Sequence, residues 1–63
     1  ALPELSRREK EVLAYLSQGL STSEISQLLF LSINTIQTYR KRLMEKLEAK
    51  NVAELVYKGK SLF

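Results

Sequence analysis

The chain has 63 residues, enough for one small domain and too few for a deep catalytic cavity. It is 44% hydrophobic and 27% charged, as a folded soluble domain is, and it holds neither cysteine nor histidine, so disulfides and thiolate or imidazole metal sites are excluded. The lack of cysteine fits a cytosolic protein, no apolar run approaches the roughly 20 residues of a membrane span, and no signal-peptide pattern is present.

The net charge of +3 is unevenly distributed. Residues 1–31 hold three basic residues against four acidic ones, whereas residues 32–63 hold seven against three. A basic second half suits a polyanionic partner; it equally suits an ordinary lysine-rich solvated surface.

Pro3 in "ALPEL" marks the end of a linker over residues 1–5, so the chain reads as the C-terminal part of a longer protein. The first helix starts at "SRRE", a capping box with Ser6 as N-cap and Glu9 three residues on. Val12, Leu13, Leu16 and Leu20 follow at helical spacing, and Gly19 ends the helix in a left-handed turn. The second helix repeats the device in "STSE", with Ser21 and Glu24, and carries Ile25, Leu28 and Leu29. It is too short to persist without packing.

Ser32 caps a third helix that runs to residue 47 or 48. Ile36, Leu43 and Leu47 mark one face with Tyr39 at its edge; Asn34, Gln37, Thr38, Lys41 and Glu45 fall opposite. The fourth helix starts at "NVAE", with Asn51 as N-cap and Val52, Leu55 and Val56 as apolar positions. Gly59 is expected to close it, leaving a short tail. No strand pattern, repeat or low-complexity segment is present, so the fold class is all-α: a compact four-helix domain.

Only residues 30–32 separate the second and third helices. A short helix, a tight turn and a longer helix with a polar outer face is the helix-turn-helix arrangement, whose second helix enters the DNA major groove. Asn and Gln pair with adenine, Lys reads guanine and Thr touches the thymine methyl, so Asn34, Gln37, Thr38 and Lys41 are candidates for base contact. Ser21, Thr22, Ser32 and Thr35 lie at helix N-termini, where free N–H groups favour a phosphate; capping alone also accounts for Ser21 and Ser32. In "YRKR" the three basic residues span about 200° of arc and cannot share one face. Lys41 lies with the base readers, Arg42 and Lys46 are placed at flanking phosphates or in solvent, and the Arg40 stem lies along the core edge.

These residues resemble the LuxR-type (GerE-like) helix-turn-helix domain found at the C-terminus of bacterial transcription regulators, the LuxR/NarL/FixJ group. The likeness covers residues 5–56. "LSRREKEVL" at 5–13, "GLSTSEIS" at 19–26, "LFLSINTIQTY" at 29–39 and Lys46-Leu47 stand in the family's order and spacing. The resemblance implies a response-regulator output domain of a two-component system, cytoplasmic, binding double-stranded DNA at promoter half-sites as a homodimer, with RNA polymerase as a further partner and no cofactor. It places base contacts on Gln37, Thr38 and Lys41, phosphate contacts on Ser21, Thr22, Ser23 and Thr35, and dimerisation on the fourth helix. There Val52, Leu55 and Val56 are expected to divide between core and interface.

Four departures from the family pattern follow. Gln37 replaces a frequent Lys, shifting preference from guanine towards adenine. Tyr39 replaces His and keeps a hydroxyl for phosphate. Glu48 replaces a Gly: either it takes a strained left-handed conformation, at about 1 kcal/mol, or the third helix runs longer. Val52 replaces an Arg and makes that region more apolar.

A sigma-factor C-terminal region shares the "GLSTSEIS" and "LSINTI" pieces, and a helical protein-interaction module would also present a basic helix. The apolar fourth helix favours the dimeric regulator. Catalysis is not expected: there is no His, Cys or glycine-rich loop, and Glu9, Glu24 and Glu54 serve as capping partners.

Overall fold

The computed structural model describes residues 4–60. They form four helices, α1 (Arg7–Ser17), α2 (Thr22–Leu29), α3 (Ile33–Lys46) and α4 (Val52–Lys60), and no strand is found among the described residues. The expected linker end at Pro3 and the tail at 61–63 lie outside those residues. Leu5, assigned to the same linker, is packed in the core.

Each helix starts where a polar side chain takes over an unpaired backbone donor. Ser6 Oγ accepts from Glu9 N at 3.2 Å while Glu9 Oε1 accepts from Ser6 N at 2.9 Å. Ser21 and Glu24 do the same at 3.2 and 3.0 Å. At α3 only half of the box exists: Ser32 Oγ accepts from Thr35 N, and no acid lies in the first turn. Asn51 Oδ1 accepts from Glu54 N at the start of α4.

The ends of α1, α2 and α3 share one closure. A left-handed residue reverses the chain, and the next residue's N–H reaches back five positions: Leu20 to Tyr15 O, Leu31 to Ser26 O and Ala49 to Met44 O, at 3.2, 3.0 and 2.8 Å. The left-handed residues are Gly19, Phe30 and Glu48, with φ of 88°, 55° and 54°. Only the first is glycine. At Glu48 the strained conformation is therefore the one adopted, and α3 stops at Lys46.

The core is built from Val12, Leu13 and Leu16 of α1, Ile25 of α2, Ile36 and Leu43 of α3, Leu55 of α4, and the flanking Leu5 and Leu47. Helix α1 packs on both α3 and α4, and α2 packs chiefly on α3. Burial of Ile25, worth roughly 1.5–3 kcal/mol, with Leu29 beside it, holds α2 in place.

Gly59 does not close α4. It lies inside the helix, buried, and a Cβ there would stand 2.9 Å from Leu13 Cδ1. Its small size lets α4 approach α1 closely. Two lysines tie the remaining elements. Lys46 of α3 donates to Glu9 Oε1 at 2.8 Å and to Glu4 O at 3.3 Å. Lys58 of α4 donates to Leu47 O and Glu48 O, at 3.0 and 2.8 Å, and so covers the carbonyl end of α3.

Candidate nucleic-acid interface

The outer face of α3 follows from its periodicity. Ile36 and Leu43 are sealed in the core, which leaves Asn34, Gln37, Thr38, Lys41, Arg42 and Glu45 exposed on the other side. Among the described residues, no hydrogen bond or ion pair engages the side-chain heads of Asn34, Gln37, Lys41 or Arg42. Thr38 is different: its hydroxyl donates to Asn34 O at 3.0 Å. Arg40 is half-buried with Nε enclosed and unpartnered, in keeping with a stem along the core edge. Tyr39 is half-buried and packs against the core.

The turn between α2 and α3 is Phe30, Leu31 and Ser32 and leads into the N-terminus of α3, while the N-terminus of α2 follows the turn at Gly19; these two helix starts carry the candidate phosphate contacts. At α3, Ser32 Oγ also lies 2.9 Å from Thr35 Oγ1, so the two hydroxyls form a pair over the first turn. At α2, Ser21 and Ser23 are exposed and Thr22 is half-buried. The two ends are electrostatically unlike. The Ser21 backbone N–H and hydroxyl hold the Glu24 carboxyl below the usual carboxylate range, so an exposed anion sits in the first turn of α2. No acid sits in the first turn of α3, which makes it the better seat for a phosphate.

Lys46, expected at the DNA backbone, has two of its three donors engaged inside the domain. Its partner Glu9 is only 3% exposed. The hydrogen bond from Lys46, then those from Ser6, hold the Glu9 carboxyl below its ordinary range despite burial. Nothing in the local spacing announced this link, because its partners are 37 positions apart.

On α4, Leu55 is fully enclosed in the core and offers no surface to a partner. Val52 and Val56 are half-buried, while Ala53 and Tyr57 are exposed. The i, i+4 spacing of Ala53 and Tyr57, opposite Leu55, was the available signal for that outer face. Leu28, expected on the apolar stripe of α2 with Ile25 and Leu29, is instead 52% exposed, and Phe30 at the turn, which the sequence pattern did not single out, is 93% exposed. No helix among the described residues is long and apolar enough to cross a membrane.

Comparison with known proteins identifies the family. The family model described as bacterial regulatory proteins, luxR family, matches residues 3–58. The chain is 46% identical over 52 residues to BvgA of Bordetella pertussis, whose name describes a transcription regulator of virulence factors. That match covers 82% of this chain and 25% of BvgA. It is 41% identical over 54 residues to the DNA-binding transcriptional activator EvgA of Escherichia coli, covering 86% of this chain and 26% of EvgA. The chain thus spans about a quarter of the length of these curated relatives. No solved structure matches it.

Proposed function

The chain belongs to the luxR family of bacterial regulatory proteins, DNA-binding transcription regulators rather than enzymes, and from that membership we propose how its helices divide the work. Helix α3 lies in the major groove and reads base edges with Asn34, Gln37, Thr38 and Lys41. Ser21, Thr22, Ser23, Ser32, Thr35, Tyr39 and Arg42 hold the phosphate backbone. Lys46 is set aside from that group because its ammonium braces α3 against Glu9. Helix α4 pairs two copies through Val52 and Val56, extended by Ala53 and Tyr57, with Leu55 supporting them from the core. The whole is the DNA-binding domain, residues 1–63, of a longer cytoplasmic response regulator that binds paired promoter half-sites and acts on RNA polymerase.

The observation that carries this reading is the outer face of α3. Its amides and its lysine and arginine heads are unengaged and stand directly after a three-residue turn. An ordinary solvated helix gains from intrahelical ion pairs, as Arg8 and Glu11 form on α1 at 3.2 Å. Among the described residues on this face of α3 no such pair is formed, although Glu45 stands four positions after Lys41.

The test is selection of duplexes from a random pool by the 63-residue chain, followed by sequencing. An enriched motif in two inverted copies is expected, with adenine at the position read by Gln37. Lys41→Ala should lower affinity for the enriched duplex by roughly 1–3 kcal/mol and leave non-specific binding nearly unchanged. Binding without enrichment would remove the base-reading assignment, and no binding at low salt would point to a protein-interaction module instead.

A further inference from the structure

The bond from Thr38 to Asn34 determines what Thr38 has left to offer DNA. A threonine hydroxyl has one proton, and here it is given to the Asn34 carbonyl at 3.0 Å within the same helix. That bond also selects one of the two side-chain rotamers a helical threonine otherwise shares. Thr38 is exposed, on the face of α3 opposite Ile36 and Leu43. What it presents outward is a fixed methyl group and an oxygen without a free proton.

In the major groove, guanine presents two acceptors, adenine one acceptor and one donor, cytosine a donor, and thymine an acceptor and a methyl group. A side chain with no free proton cannot donate to guanine, to thymine O4 or to adenine N7 unless it first gives up its helix bond; its oxygen keeps lone pairs that can only accept, from adenine N6–H or cytosine N4–H. Its methyl group has one apolar counterpart among the four bases, the thymine 5-methyl. We propose that Thr38 is a thymine-selecting residue that acts through its methyl group, with its hydroxyl proton withheld from DNA by the Asn34 carbonyl. This rests on α3 occupying the major groove. It goes further in separating the two halves of one side chain: the methyl reads, and the hydroxyl sets its orientation.

Deoxyuridine lacks only the 5-methyl group and keeps every hydrogen-bonding atom of thymine. The experiment takes the duplex enriched by the 63-residue chain and replaces each thymine singly by deoxyuridine. Binding is measured for the unsubstituted protein and for Thr38→Val and Thr38→Ser, with the fold of each checked by circular dichroism. At one thymine per half-site, the replacement should weaken the unsubstituted protein about fourfold, the effect of one buried methyl-sized group. Thr38→Val should bind as well and show the same loss. Thr38→Ser, which keeps the hydroxyl and drops the methyl, should bind thymine and deoxyuridine alike.

A serine variant that still discriminates, or a valine variant that binds about tenfold worse, would overturn the proposal and make the hydroxyl the reading group. An enriched duplex with no deoxyuridine penalty that depends on Thr38 would also overturn it, and would leave α3 as the reading helix. Absence of any enrichment would remove the α3 assignment and this one with it.

Discussion

Replacing Glu48 by glycine should stabilise the domain by about 1 kcal/mol. Glu48 has φ 54°, and a left-handed conformation costs an L-residue with a Cβ roughly 1–2 kcal/mol. Glycine removes that cost and returns about 0.5–1 kcal/mol through the greater freedom it gives the unfolded chain. Removing an exposed carboxylate just past the carbonyl end of α3 adds about 0.3 kcal/mol, because the helix dipole disfavours an anion there. Lys58 is unaffected, since it binds the backbone oxygen of residue 48 at 2.8 Å. For a domain this small, 1 kcal/mol corresponds to a rise in Tm of about 4–8 °C, read by reversible thermal melting followed by circular dichroism. Glu48→Ala is the control, as it removes the charge and keeps the Cβ. If Glu48→Ala gains as much as Glu48→Gly, the effect is charge alone and the strain reasoning fails. Phe30→Gly, at φ 55° with its ring 93% exposed, should gain a similar amount for the same reason.

At Gly59 the sign reverses. Alanine is better than glycine by about 1 kcal/mol in a helix interior, but the added Cβ would meet Cδ1, Cδ2 and Cγ of Leu13 at 2.9, 3.1 and 3.1 Å. Leu13 is fully buried and must shift to admit the Cβ, so overpacking of about 1–3 kcal/mol should win. Urea unfolding should show Gly59→Ala losing about 1 kcal/mol, and gaining instead in a Leu13→Ala background. The Glu9 carboxyl predicts an acid limit. Its folded pKa lies below the ordinary value of 4.5, so the unfolded chain binds the proton more readily. Stability from this group is complete above about pH 5 and is lost as pH falls through the lowered folded value. Glu9→Gln should cost about 1–2 kcal/mol at pH 7 and flatten the acid side of a stability–pH curve; an unchanged curve would mean that the link to Lys46 contributes nothing.

The sequence alone determined the features that depend on residues three or four apart. The N-caps at Ser6, Ser21, Ser32 and Asn51 are hydrogen bonds between near neighbours, so spacing and residue type specify them. The outer face of α3 was legible for the same reason: a helix of fixed pitch places Asn34, Gln37, Thr38 and Lys41 away from Ile36 and Leu43 in any packing that buries those two. The tertiary structure decided the rest. Gly59 looked like a helix end because glycine usually has that role, and only the approach of α4 to α1 makes it a point of close contact with Leu13. Leu55 and Val56 are neighbours of similar apolar character, yet the crossing of α4 over the core encloses the first and leaves the second half-buried at the core's edge. Lys46 read as one more cation near a phosphate until Glu9 was brought within 2.8 Å of it. Local hydrogen bonds and helical pitch are properties of a short segment, whereas the angle and depth at which helices pack depend on all of their side chains together.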